Sequence, residues 1–331
     1  MNDSTKTDIT PVFVFSLPRA GSTLLQKVLS THATVASTAE PWVLLPLIYS
    51  LKSEGIYTEY AQCIGSIAIN EFMQELPESR ADYQAALREF TLRLYRGAAG
   101  VDATHFVDKT PRYHLIASDI LDIFPDAKCI LLWRNPLAIA ASMLNTWGAG
   151  RWNLYRYNVD LYKGLLNLIS LAQHRPDRLL QIKYEDMTSA PEGAWPKIFA
   201  HLGLTFDTSF LETYQSVSFS GRMGDPTGGT KFDRISAASI DSWPATFNNP
   251  LRRRWAYRYL DWIGEDRLEA MGYRRAELLS ALEARAPSGY SGLASDAAFM
   301  ALGHVHAPLD LSGIKRQIRI RRSSGRCYAA T

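Results

Sequence analysis

Residues 12–29, VFVFSLPRAGSTLLQKVL, constrain the chain more than any other stretch. An apolar run rich in β-branched and aromatic residues ends in a Gly-containing turn, and Leu24, Leu25, Val28 and Leu29 then recur on one helical face. Strand, turn and helix in immediate succession predict an α/β unit whose helix N-terminus faces outward. Its amides and the helix dipole together favour an anion there. Against the ATP-binding template G-x-x-x-x-G-K-[ST], the fixed positions hold Ser16, Gly21, Ser22 and Thr23, so the first Gly and the Lys are both missing. The anion cradle is kept, while the Lys that would meet the β- and γ-phosphates of ATP is replaced by a Ser.

Placing the first strand at 11–17, three further β-rich runs follow, at 104–107 (THFV), 128–133 (KCILLW) and 178–183 (RLLQIK). Helical periodicity lies between them: at 80–97 through Tyr83, Leu87, Phe90 and Leu94, at 112–124 through Leu115, Ile116, Ile120 and Phe124, and at 154–174. Alternation of this kind predicts a P-loop-like three-layer α/β fold, with a central parallel sheet of four to five strands flanked by helices. Beyond about residue 205 the strand pattern stops. A Gly-rich loop at 221–230 precedes helical patterns at 251–262 and 265–285, so the C-terminal part reads as helical. The main domain is expected to span 1–285. Residues 286–331 read as an extension with a basic tail, in which Lys315, Arg316, Arg319, Arg321, Arg322 and Arg326 have no acidic residue among them.

Composition narrows the functions. With 331 residues, 47% of them hydrophobic, the chain can bury a large core. Its 36 basic and 33 acidic residues give a net charge of only +3, which argues against a nucleic-acid partner and makes any anion site local. Cys63, Cys129 and Cys327 form no C-x-x-C pair, the start lacks the apolar core of a signal peptide, and the longest apolar run, 42–51, is too short for a transmembrane segment. A cytoplasmic protein is expected. His304 and His306 have no third ligand nearby in sequence, so no metal is expected.

In an open parallel sheet, ligands bind beyond the carboxyl ends of the strands. There stand Arg19, Gly21, Ser22 and Thr23 after the first run, Lys109 of DKTPRY after the second, Arg134 of RNP after the third and Tyr184 of YED after the fourth. Three cations converge on one edge.

These segments resemble the sulfotransferases that use 3′-phosphoadenosine 5′-phosphosulfate (PAPS), and specifically the branch that includes protein-tyrosine sulfotransferases and bacterial relatives. SLPRAGSTLL is similar to that branch's 5′-phosphosulfate loop, with Arg19 where cytosolic small-molecule sulfotransferases usually carry Lys. LLWRNPLAIAASML (131–144) resembles the 3′-phosphate motif, in which an Arg at a strand end and a Ser eight residues later, here Arg134 and Ser142, grip the phosphate. Eight residues carry the chain through the Asn135-Pro136 turn and about two helical turns, which can return the hydroxyl towards the same phosphate.

The resemblance covers roughly residues 11–260. It implies PAPS as co-substrate, bound by Arg19, Ala20, Gly21, Ser22, Thr23, Arg134, Ser142 and Tyr184. It also implies Glu40, twenty-one residues after Arg19, as the general base, and Lys109 with Arg19 as the groups that stabilise charge on the leaving group. The implied acceptor carries a hydroxyl and could be a glycan, a phenol or a small natural product. The chain departs from the family at Ser242, beside Trp243, where other members often carry a basic residue; Lys231 and Arg234 stand nearby as substitutes. Two other functions would use the same cradle. A P-loop kinase should carry Lys at position 22 and a strand-end Asp for magnesium, and a non-catalytic nucleotide-binding module needs neither Glu40 nor Lys109. His105 and His114, flanking the Lys109 segment, are the alternative bases.

Overall fold

A strand buried on both faces must be apolar along its whole length, because parallel sheets are covered on each side by helices. Val12, Phe13, Val14 and Phe15 meet that demand and are completely buried. In the computed structural model, which describes residues 8–56, 58, 61–219, 240–285 and 292–309, they form the centre of β1 (Thr10–Ser16). The sheet also contains β2 (Val35–Ser37), β3 (His105–Asp108), β4 (Lys128–Trp133) and β5 (Leu180–Lys183), all parallel, in the order β2-β3-β1-β4-β5. Pairing Phe13 with Asp108 and Ser16 with Leu132 brings the carboxyl ends of β1, β3 and β4 side by side.

Four of these strands were expected, within two residues at either end. β2 was not. Three residues are too few to show a pattern; the strand pairs with β3 from Val35 to Ser37 and side chains add to that pairing, Ser37 Oγ donating to Val107 O at 2.7 Å and Gln26 Nε2 to Ser37 Oγ at 2.7 Å.

Helix α1 (Ser22–Leu29) leaves the first loop and buries Leu24, Leu25, Val28 and Leu29. Between β2 and β3 the chain forms α2 (Leu44–Tyr49), α3 (Gln62–Gln74) and α4 (Arg80–Ala98). Helix α5 (Ala117–Ile123) leads to β4, and α6 (Pro136–Trp147) and α7 (Leu165–His174) lead to β5. The remainder is helical among the described residues: α8 (Tyr184–Ser189), α9 (Pro191–Leu202), α10 (Phe210–Thr213), α11 (Pro250–Ile263), α12 (Glu265–Ala270), α13 (Arg275–Glu283) and α14 (Leu293–Leu309).

Several helices depart from the expected pattern for identifiable reasons. Helix α4 buries Leu87, Thr91 and Tyr95, whereas Phe90 and Leu94 are 49% and 42% exposed. Its rotation follows Tyr95, whose ring stacks on Phe106 at 4.4 Å and whose hydroxyl donates to Asp108 at 2.6 Å. The 112–124 pattern opens as a 3-10 turn, Pro111–Leu115, before α5. The 154–174 pattern is a 3-10 turn, a π turn over Val159–Gly164 and then α7. The 265–285 pattern breaks into α12 and α13 at Gly272, which has φ 80°.

Helix α14 lies in the stretch expected to be an extension, and it is fastened to the core. The buried Asp296 carboxylate accepts Nε and Nη2 of Arg252 at 2.6 and 2.9 Å and Asn249 Nδ2 at 2.7 Å. His304 and His306 lie on this helix. The 221–230 loop, Lys231, Arg234 and the basic tail from Lys315 to Arg326 lie outside the described residues. Among the described residues no helix is long and apolar enough to cross a membrane.

Candidate active site

The carboxyl ends of the strands open onto a cavity of about 720 Å³. Of the residues expected at the site, Arg19, Gly21, Ser22, Thr23, Glu40, Lys109, Arg134 and Tyr184 line it. Ala20 is fully buried and its N–H closes the turn onto Leu17 O at 3.3 Å, so it shapes the loop from behind. Ser142 stands on α6, where its Oγ accepts Arg19 Nε at 3.2 Å.

The loop after β1 is held in an unusual shape. Arg19 has φ 69° and Gly21 φ 94°, both in the left-handed region, and for a residue with a side chain that region costs about 1–2 kcal/mol. Contacts from the end of β4 and from α6 maintain it. Arg134, just past β4, donates Nη1 to Arg19 O at 2.8 Å, Ser142 receives Arg19 Nε, and the Arg19 guanidinium lies 5.8 Å from the Trp147 ring centroid. Gly21 faces the Tyr184 ring so closely that a Cβ there would lie 2.2 Å from Cδ2. Arg134 stacks on the same ring at 4.3 Å. The first-turn N–H groups of α1, those of Ser22 and Thr23, have no partner inside the helix on geometric grounds and are directed to the loop side.

The turn carrying Arg134 is built by RNP itself. Asn135 caps α6, its Oδ1 accepting N–H of Leu137 at 2.9 Å and of Ala138 at 3.3 Å, and Pro136 occupies the first helical position, where no N–H is needed. Glu185 locks this turn to the C-terminal helices, accepting Asn135 N–H at 3.0 Å and the Tyr273 hydroxyl at 2.7 Å. Burial pushes the Arg134 guanidinium below the usual arginine range, with Tyr184 and Glu185 opposing. A cation so poorly solvated gains from an arriving anion.

On the opposite wall, Lys109 Nζ pairs with Glu40 Oε1 at 2.8 Å, with side-chain exposures of only 2% and 12%. Trp42 Nε1 donates to the other oxygen, Oε2, at 3.2 Å. Both carboxylate oxygens are therefore fixed, one by a cation and one by an indole. The two alternative bases stand elsewhere: His105 begins β3 with Nε2 3.1 Å from Leu202 O, and the fully buried His114 bonds Asp160 Oδ1 through Nε2 at 2.8 Å. Neither lines the cavity.

Sequence reasoning missed other parts of the wall, among them Trp42, Pro111, Arg112, Trp147, Tyr157 and Asp160. Arg112 belongs to DKTPRY and was in view; its bidentate partner was not. Asp160 receives Arg112 Nε at 2.7 Å on Oδ1 and Nη2 at 2.9 Å on Oδ2. The π turn carries Asp160 into this position, and a helical period of 3.6 does not announce such a turn. The rings of Trp147 and Tyr157 pack at 4.8 Å. The cavity wall thus holds Arg19, Lys109, Arg112 and Arg134 against Glu40 and Asp160, a surplus of positive charge suited to an anionic ligand.

The family model described as the sulfotransferase family matches residues 11–208. The nodulation protein NoeE of Sinorhizobium fredii is 33% identical over 145 residues, which cover 43% of this chain and 33% of NoeE. A protein-tyrosine sulfotransferase of Drosophila melanogaster is 22% identical over 205 residues, covering 60% of this chain and 39% of the fly protein. The chain therefore spans well under half the length of these relatives. Among solved structures, the sulfotransferase domain of the Synechococcus PCC 7002 olefin synthase superposes over 77% of this chain and 98% of that domain, with a TM-score of 0.50 and 24% identity, a likeness of fold. The matched span holds every cavity-lining residue and all five strands except Thr10 at the start of β1, and on that ground the chain belongs to the sulfotransferase family.

Proposed function

We propose that the protein transfers a sulfuryl group from PAPS to a hydroxyl of an acceptor. The observation that carries this reading is the placing of a Lys-free anion cradle, a strand-end Arg134 and a Glu40–Lys109 pair around one cavity. Gly21, Ser22, Thr23 and the start of α1 would receive the 5′-phosphosulfate, and Arg134 with Ser142 the 3′-phosphate. Tyr184, already stacked under Arg134, would border the nucleotide. Glu40 would accept the acceptor's proton as its oxygen attacks sulfur. Lys109, with three N–H donors, can hold Glu40 and still meet charge growing on the oxygen that leaves. The bond from sulfur to the 5′-phosphate oxygen breaks as the new oxygen–sulfur bond forms in line, giving a sulfate ester and adenosine 3′,5′-bisphosphate. Arg19 would supply a second cation to the sulfonate or 5′-phosphate oxygens. The small exposure of Lys109 and Glu40 strengthens these charge interactions relative to water.

A P-loop kinase is the weaker reading. It needs a carboxylate at a strand end to hold magnesium, and the carboxylate at the end of β3, Asp108, is fully buried and takes hydroxyl protons from Tyr95, Thr110 and Tyr113. The acceptor would enter along Trp42, Trp147 and Tyr157, a wall compatible with a glycan, a phenol or a small natural product.

Thermal unfolding tests the donor: adenosine 3′,5′-bisphosphate at a hundredfold excess over its Kd should stabilise the protein by about 2.7 kcal/mol, and ATP with magnesium far less. Equal shifts would overturn the reading. Transfer of labelled sulfate from PAPS to a hydroxyl panel then identifies the acceptor, and Glu40→Gln should lower turnover by roughly 10²–10⁴-fold with bisphosphate binding no weaker.

A further inference from the structure

Asp108 closes β3, and its carboxylate has no contact with solvent. A charge in that position must be hydrogen-bonded. Oδ2 accepts the hydroxyls of Tyr95 at 2.6 Å and Tyr113 at 2.9 Å, and Oδ1 accepts Thr110 Oγ1 at 2.9 Å. An ionised carboxylate is acceptor only, so all three hydroxyls point their protons inward and their lone pairs outward. Two of those outward lone pairs are used on a single segment: Thr110 Oγ1 receives the N–H of Trp42 at 3.4 Å, and Tyr113 Oη receives the N–H of Leu44 at 3.2 Å.

That segment carries the proposed base. Glu40 lies two residues before Trp42, and the Trp42 indole holds its Oε2. Trp42 has φ 57°, a left-handed conformation that a bulky side chain keeps only under outside restraint. On the other side, the residue after Asp108 is Lys109, which holds Glu40 Oε1. One buried carboxylate therefore stands behind both halves of the Glu40–Lys109 pair: directly behind the strand end that presents Lys109, and through two hydroxyls behind the segment that presents Glu40.

We propose that Asp108 is a positioning residue, which touches no substrate and sets the Glu40–Lys109 geometry by orienting the hydroxyls of Thr110 and Tyr113 towards the 40–44 backbone. The proposal rests on the reading of Glu40 and Lys109 given above, and part of its test is independent of that reading. Asn at 108 has one acceptor and one donor group, so it cannot take all three hydroxyl protons, and at least one hydroxyl must turn. Thr110→Val and Tyr113→Phe each remove one bond to the segment and leave Asp108, Lys109 and Glu40 in place, which keeps the test usable should Asp108→Asn fold poorly.

Hydrogen exchange followed by mass spectrometry reads the clamp without any acceptor. In Asp108→Asn, and in the double variant Thr110→Val/Tyr113→Phe, peptides covering 40–45 should exchange at least tenfold faster, with the β1–α1 segment unchanged. With PAPS and a phenolic acceptor that the wild type turns over, kcat should fall ten- to a hundredfold while the Kd for adenosine 3′,5′-bisphosphate stays within twofold. Wild-type exchange at 40–45 in the double variant would overturn the clamp whatever Glu40 does, and faster exchange with wild-type kcat would overturn its catalytic relevance. Faster exchange together with full activity of Glu40→Gln would instead refute the reading of Glu40 and leave the clamp standing.

Discussion

Arg134 donates Nη1 to the carbonyl oxygen of Arg19 at 2.8 Å, so the cation proposed for one phosphate of the donor also braces the loop proposed for the other. Binding at the two proposed ends would thereby be coupled through the β1 loop. Arg134→Lys keeps the charge and loses the fork that reaches both the carbonyl and the Tyr184 face. It should weaken adenosine 3′,5′-bisphosphate by roughly 10–100-fold, the value of one or two charge-assisted hydrogen bonds, whereas Ser142→Ala should cost about tenfold or less. Calorimetric titration of both variants checks this, and a Lys variant that binds like wild type would remove Arg134 from the donor site.

Gly21 is a second point at which loop shape and binding meet. Its φ of 94° and a prospective Cβ 2.2 Å from the Tyr184 ring both forbid a side chain. Gly21→Ala should therefore destabilise the fold by at least about 2 kcal/mol, from left-handed strain plus the clash, and should displace Tyr184 from beneath Arg134. Urea unfolding reads the first effect and bisphosphate titration the second. An Ala variant with wild-type values in both would show that the loop can relax.

How far the chain could be read in advance depended on whether a feature was local. β1 and β4 are continuous apolar runs, the RNP turn carries its own cap and proline, and Gly21 sits visibly between a strand and a helix, so sheet, cradle and the positions of Arg19 and Arg134 follow from neighbours in sequence. The tyrosine that makes Gly21 obligatory, Tyr184, comes from the start of α8, just past β5. The partners of Asp108 come from α4, the 3-10 turn and Thr110, the residue just before that turn. Periodicity marks Phe90 and Leu94 as part of a buried stripe because it registers apolar spacing and not a hydroxyl seeking a carboxylate. Their exposure and the missed Asp108 hub share one cause.

Asp108 also gives stability a defined pH dependence. Burial, opposed by its three hydroxyl partners and Lys109, pushes its carboxyl from 3.8 up to about 6. Between those values the native state binds the proton more firmly than the unfolded chain, so the stabilisation linked to this group is complete below about pH 4 and is lost as pH rises through 6. The gap corresponds to about 3 kcal/mol. Asn at 108 does not titrate, so the wild-type advantage over Asp108→Asn should shrink by about that amount from pH 4 to pH 7.5 in urea unfolding. A difference independent of pH would show that Asp108 is ionised throughout.

The expected domain boundary stands at residue 285. Helix α14 lies beyond it, yet Asp296 is 1% exposed and takes both Nε and Nη2 of Arg252, which also donates to Gly150 O at 2.7 Å next to the end of α6. Losing one partner of a buried ion pair strands the other charge, at a cost of about 3–5 kcal/mol. Asp296→Asn should approach that loss, and a chain ending at 285 should reach it and lose the apolar contacts of α14 as well. Arg252→Met combined with Asp296→Leu should recover much of the stability, because removing both charges removes the desolvation penalty along with the attraction. Melting curves of the three proteins decide the matter. A 1–285 chain as stable as the full one would make α14 an accessory, whereas a less stable one restored by neither charge removal nor added α14 peptide would place the loss in residues other than this pair.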